Sequence, residues 1–157
     1  MPNVFIRVNH WEQETFYSCV PACVRMVLDY HGITQQEHAL RNLLGTTPVL
    51  ATPVINIVRI VPQWNFDVAL GKVDYQSLRV ILARNRLPII VTDPFLMDYW
   101  KDSTVSLHAI LVVGINEDAD EVYINDPYFQ TPQKASLSQF ENDWSSRVVL
   151  TAVSSKT

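Results

Sequence analysis

Four residues of this chain have the types and spacing that acyl transfer by a thiol requires: Cys19, His108, Asp126 and Gln13. A thiol is a poor nucleophile until it ionises, and both a helix N-terminus and a nearby imidazolium favour the ionised form. Cys19 falls where a helix should begin. Pro21 is tolerated in a first turn, and the apolar stripe Val20, Cys23, Val24, Val27, Leu28 keeps helical spacing until Gly32 stops it. Cys23, one turn further in, reads as a small buried hydrophobe.

A base for that thiol follows from a predicted hairpin. Leu107 to Ile115 and Glu121 to Asn125 are strand candidates separated by the acidic turn Asn116-Glu117-Asp118-Ala119-Asp120. Folding about residue 117 or 118 sets positions that sum to roughly 235 opposite each other in an antiparallel pair. His108 then faces the neighbourhood of Asp126. Strands lie about 5 Å apart, so ring and carboxylate come within hydrogen-bonding reach. Such a carboxylate fixes the imidazole tautomer and stabilises its protonated form. Gln13 stands six residues before Cys19, where a side-chain amide can join the nucleophile's own N–H as an oxyanion donor. Asp93-Pro94 repeats the Asp-Pro form after a strand, but no histidine begins a hairpin partner for it, so Asp93 is expected to be a turn residue. Taken singly, an inert thiol, a core histidine and a turn aspartate would each need no catalytic explanation; the predicted pairing is what links them.

The elements that must position these groups read as α+β. Val4 to Val8 alternates like a short strand, and the polar stretch to Ser18 leads into the first helix. Thr34-Gln35-Gln36-Glu37 has the form of a capping box for a second helix closing at Gly45. Thr52-Pro53 opens a third helix, expected to end before Pro62. Phe66 to Leu70 is a strand, Asp74 caps a helix to about Asn85, and Pro88 introduces the strand Ile89-Ile90-Val91. A second capping box at Ser136-Leu137-Ser138-Gln139 and a strand over Arg147 to Val153 complete the pattern. A helical N-terminal half packed on a C-terminal antiparallel sheet, in a single domain spanning 1-157, is the expectation.

Composition narrows the function. The 157 residues carry 12 basic and 16 acidic side chains, a formal charge of -4, and only 18% charged positions, below the roughly 25% usual for soluble domains. With no basic cluster, nucleic acid is not an expected partner. Apolar stretches such as Ala109 to Val113 fall far short of the roughly 20 residues of a membrane span, and the start MPNVFIRVNHW lacks a signal pattern, so an unprocessed soluble chain is expected. Two cysteines make no disulfide framework, which points to a reducing, cytoplasmic setting. No Cys-x2-Cys, His-x3-His or His-Glu-x-x-His spacing occurs, so neither a metal nor an organic cofactor is expected.

The string QETFYSCVPACVRMVLDYHG resembles the signature of the bacteriocin-processing, double-glycine leader peptidases, a papain-like cysteine peptidase family. Gln13 and Cys19 reproduce its Gln-x5-Cys spacing, and Ala22, Met26 and Tyr30-His31-Gly32 follow its helix. HAILVVGINEDADEVYINDP is similar to the family's later histidine-led strand and hairpin ending in Asp-Pro. The intervening LRVILARNRLPIIV also matches in order, so the likeness covers roughly residues 10 to 130. It implies a papain-like fold, with Cys19 as nucleophile, His108 as general base and acid, Asp126 as its orienter and Gln13 as oxyanion donor. It also implies a peptide or protein substrate cleaved at a peptide or isopeptide bond through a thioester, with small, Gly-Gly-like residues before the bond.

Two features depart from the family pattern. Val20 stands where glycine usually follows the nucleophile, so a branched side chain adjoins the substrate backbone. The family is commonly fused to a transporter, whereas this sequence reads as free-standing. A silent papain-like domain that binds a peptide or partner protein, and an acyl transferase acting on an amine, are the rival readings. Trp11, Phe16 and Tyr17 either line a cleft or pack. The segment Phe95 to Ser106 is either a lid or a packed loop.

Overall fold

The computed structural model describes residues 3–157. In chain order the elements are β1 (Val4–Phe5), α1 (Cys19–Tyr30), α2 (Glu37–Leu44), a 3-10 turn (Val54–Arg59) running into α3 (Ile60–Trp64), β2 (Phe66–Gly71), α4 (Tyr75–Ala83), β3 (Leu87–Thr92), β4 (His108–Asn116), β5 (Glu121–Asn125), β6 (Gln133–Ser136), α5 (Leu137–Arg147) and β7 (Val148–Lys156). The strands form one antiparallel sheet in the order β2-β7-β3-β4-β5-β6, and β1 pairs with the far end of β4. This is the mixed α+β arrangement expected, with α1 packed on the sheet and α2 on α1.

The near-continuous apolar runs of β3 and β4 explain their central places, because a strand covered on both faces has no solvent side to alternate with. Every residue of β3 is buried, and so is all of β4 except Asn116. From Val20 to Leu28, α1 is buried without a break. It is wedged between β4 and α2, and burial of its apolar stripe drives that docking. Gly32 and Gly45 adopt left-handed φ values of 79° and 68°, which release the chain from α1 and α2.

Four expectations need correction or completion. β1 holds only two residues of the five expected, but the arm beyond it stays attached: the Ile6 N–H donates to Val113 O (2.7 Å) and Asn125 Nδ2 to Val8 O (3.1 Å). Its close approach depends on Gly114, where a Cβ would meet Val4 O at 2.8 Å and Phe5 Cδ2 at 2.9 Å. The capping box at Thr34 does not form; Gln36 is the N-cap and makes no side-chain cap. Helical structure continues through Pro62, because the change from 3-10 to α geometry puts that proline in the first turn of α3, where its missing N–H costs no bond. Strand β6 was not expected from its sequence, Gln-Lys-Ala-Ser. By contrast Asp74 and Ser136 cap α4 and α5 as read, accepting from the Ser77 and Gln139 amides. Among the described residues no helix is long and apolar enough to cross a membrane.

Candidate active site

The β4–β5 hairpin delivers its two candidate groups to one point. Asn116 faces Glu121 and Leu111 faces Asn125, with the register slipping between Val112 and Gly114. His108 therefore opens β4 beside the turn that follows β5, and its Nε2–H donates to Asp126 Oδ1 at 2.6 Å. Both side chains are buried. The Tyr99 hydroxyl donates to the other carboxylate oxygen (2.8 Å), and the Tyr128 amide donates to Oδ1 (3.0 Å). A buried carboxylate held by three donors has little freedom to turn away from the ring it orients.

The aromatic segment after β3 supplies the cover. Trp100 lies against the His108 ring with centroids 4.9 Å apart, and Tyr128 meets the same ring edge-on at 6.1 Å. Trp100 is itself tied by its indole N–H to Asp102 O (2.6 Å). Of the two readings of Phe95 to Ser106, packing holds for the first part, where Leu96, Met97 and Trp100 are buried and Tyr99 is bound to Asp126, whereas residues 101–106 lie largely exposed. Tyr99 and Trp100 entered the sequence reading only as members of that segment, and Tyr128 did not enter it. Their only signal was an aromatic cluster on either side of the histidine.

Cys19 is the first residue of α1 and is half-buried. It shares one open pocket with His108. Burial alone pulls the His108 pKa down, but hydrogen bonds from Asp126 and Cys19, with the charges of both, outweigh it and hold the ring at about 9 against an ordinary 6.5. Because Nε2 is committed to Asp126, the second ring nitrogen is the one left for the sulfur. Cys23 is wholly buried, and burial, followed by the charges of Cys19 and Asp126, pushes its thiol well up. It therefore stays a neutral thiol in the core.

The loop before Cys19 is held from below by a buried carboxylate. Glu37 has no exposed surface; it accepts from the Glu14 amide (3.0 Å) and pairs with Arg41 (3.2 Å). Burial raises its pKa, opposed by the Glu14 amide, Ser18 and Arg41. This tertiary task accounts for the missing capping box. Ser18 closes the loop, accepting from the Thr15 amide at 3.1 Å. Trp11 packs rather than lining a cleft, with the Arg25 guanidinium 3.7 Å from its ring centre. Phe16 is 85% exposed and meets Tyr17 edge-on.

Gln13 reaches the same neighbourhood through its backbone, since its N–H donates to Pro127 O at 2.7 Å, next to Asp126. Its side chain is not part of the Cys19 pocket. Nε2 donates to Thr15 O (2.7 Å), and Oε1 is buried without a partner. The structure thus brings Cys19, His108 and Asp126 together and sets the Gln13 amide within its own loop. Asp93 is the turn residue expected: it accepts from the Phe95 amide and pairs with Arg147 at 2.6 Å. Among the described residues, no group of three or more His, Cys, Asp or Glu side chains is arranged to hold a metal ion.

Residues 7–157 match the Peptidase C39 family. The chain belongs to that family. Solved C39-type structures share the fold. One is a double glycine motif protease from an AMS/PCAT transporter, in complex with its leader peptide; it superposes with a TM-score of 0.73 at 15% identity, over 99% of this chain and 98% of that one. The peptidase domain of Streptococcus ComA, described as a bifunctional ABC transporter of a quorum-sensing pathway, gives 0.68 at 18% identity, over 96% and 100%. A Bacillus anthracis protein described as a C39-like peptidase gives 0.75 at 16% identity, over 100% and 99%. No curated protein sequence matches the chain.

Proposed function

We propose that this C39-family chain is a cysteine peptidase, working as one domain over residues 1–157, that cleaves a peptide or isopeptide bond through a thioester on Cys19. The observation that supports this reading most is the His108 ring, bonded on one side to a buried Asp126 and sharing an open pocket with the Cys19 sulfur on the other.

The steps follow from the groups. His108 keeps or makes the Cys19 thiolate, its ring carrying the proton, and the thiolate attacks the substrate carbonyl carbon. The oxyanion forms beside the start of α1, where the Cys19 N–H has no acceptor within the helix. His108 then gives its proton to the leaving amine as the thioester forms. Water, deprotonated by the same ring, hydrolyses the thioester and restores the thiol. Gln13 would serve as second oxyanion donor by releasing Thr15 O and turning its Nε2 toward the sulfur. The partnerless Oε1 supports that reading, because the present amide position is not fully satisfied.

The substrate would be a peptide or protein. The double glycine motif neighbour and its leader peptide make small residues before the bond the starting expectation. Two free thiols suit a reducing, cytoplasmic setting. The test is cleavage of a peptide library by the wild type and by Cys19→Ala. Cleavage lost in the variant supports the peptidase. If wild type cleaves nothing, and its Cys19 reacts with iodoacetamide no faster than a model thiol, the peptidase reading gives way to a peptide-binding domain.

A further inference from the structure

The pocket shared by Cys19 and His108 encloses about 200 Å³. Its walls are aliphatic, formed by Val20, Leu50, Val54, Val91 and Leu107, and among the described residues no Lys, Arg, Asp or Glu contributes to it. Apart from the reacting pair, Thr52 is the polar member, and its hydroxyl already bonds that of Thr46 at 2.7 Å. Nothing in the walls therefore asks for a polar guest. An apolar cavity of about 150 Å³ is large enough to admit a benzene-sized molecule. Space of this size and lining suits a branched hydrocarbon side chain. Glycine alone would leave it to poorly held water, which an apolar group gains affinity by displacing.

The outer wall is firmly held. Thr47 and Ala51 exchange both backbone hydrogen bonds (3.0 and 2.8 Å), and the Leu50 amide donates to Thr47 Oγ1 at 3.1 Å. Ala51 has φ 53°, in the left-handed region that residues with a Cβ seldom adopt and that tends to persist at functional sites. This tight loop holds Leu50 at the rim of the pocket, 75% exposed, with half-exposed Leu107 as another rim residue. Val20 is only 5% exposed and belongs to the core. It therefore forms a wall of the recess and does not project into the substrate's path.

We infer that this recess seats an aliphatic side chain from one of the two residues on the acyl side of the scissile bond, in place of one member of a glycine pair. The inference rests on the peptidase reading above and names the substrate class of that site. Leu50 is then a specificity-determining residue.

Dipeptidyl chloromethyl ketones test it directly, because the Cys19 sulfur displaces chloride from the methylene carbon while the dipeptide seats as an acyl group would. The panel is Gly-Gly, Leu-Gly, Gly-Leu, Asp-Gly and Gly-Asp, each alkylation rate divided by that of iodoacetamide, which has no side chain to seat. An apolar pocket discriminates by about 10- to 200-fold per methylene, so at least one leucyl reagent should outrun Gly-Gly by about tenfold or more, with both aspartyl reagents slower. Leu50→Asp, on an exposed loop outside the core, should remove most of the leucyl advantage. Gly-Gly as fast as both leucyl reagents, or a leucyl advantage that Leu50→Asp leaves intact, overturns the inference. Peptides of the same sequences separate the two claims. Leucine-selective alkylation without any cleavage keeps the pocket and sinks the peptidase. Cleavage with no leucine preference does the reverse.

Discussion

The two walls that meet at the sulfur are built in opposite ways. On the sheet side, strand register aims His108 and Asp126 at each other, and Tyr99, Trp100 and Tyr128 then enclose the pair, so position is specified several times over. On the helical side, the start of α1 sets Cys19, and the loop before it hangs on Glu37 and a few polar contacts, leaving the sulfur half-open and the Gln13 amide bonded through Nε2 alone. The wall around His108 is held by many contacts, and under the proposed mechanism the wall around Cys19 is the adjustable one. That division suits a reaction in which the base must not wander while a substrate backbone still has to enter.

Removing the reacting groups should erase the difference. Cys19→Ala or His108→Ala is expected to lower peptide turnover by about 10⁴-fold or more, since nucleophile and base act as a unit; turnover within tenfold of wild type in either variant would remove that residue from the chemistry. Asp126→Asn keeps the shape but favours the wrong tautomer, for a loss of up to about 10⁴-fold in kcat. An unchanged kcat would mean that the aromatic cover alone orients the ring. Gln13→Ala probes the adjustable wall and should cost about 10²- to 10³-fold in kcat with KM little altered; a pure KM effect would make Gln13 a substrate contact.

Tyr99→Phe sharpens the comparison further. It withdraws one of three donors from a buried carboxylate, so activity should fall by about tenfold, in line with a single lost hydrogen bond to a charged group. The pH profile carries the accompanying signature. His108 is protonated until about pH 9, so wild-type kcat/KM should decline above that value as the acid for the leaving amine is lost. Stability has the same sign: a ring whose pKa is raised on folding contributes fully below about 6.5, and the contribution disappears as pH rises through about 9. A decline already complete near pH 7, as for an ordinary imidazole, would contradict the Asp126 assignment. The smallest effect is expected one turn along α1, where Cys23→Ala should keep turnover and lower stability by roughly 1 kcal/mol or less. A thermal melt alongside the assay checks it.

Much of this arrangement was legible in the sequence because it rests on local rules. Helix periodicity placed Cys19 at a first turn. The acidic turn fixed the hairpin, and a register slip of one residue between Val112 and Gly114 did not carry His108 away from Asp126. What escaped was set by distant partners. Glu37 reads locally as the end of a capping box, yet in the fold its buried carboxylate is claimed by the Glu14 amide. The tetrapeptide Gln-Lys-Ala-Ser has little strand preference and becomes β6 by completing the edge beside β5. The Tyr99 hydroxyl and Trp100 ring lie more than twenty residues from Asp126 in sequence, and no spacing rule connects them to it.

The bare backbone at Gly114 has a remote consequence for the loop that carries Gln13. It lets the first strand lie flush on β4, and from there the chain is stitched along the sheet by Ile6, Asn125 and His10, whose Nε2–H donates to Phe129 O at 2.7 Å, until Gln13 fastens to Pro127. The segment from Asn3 to Gln13 thus works as a guy-rope. It is anchored where a single hydrogen replaces a side chain, and its far end is tied down beside the acid that holds the His108 ring.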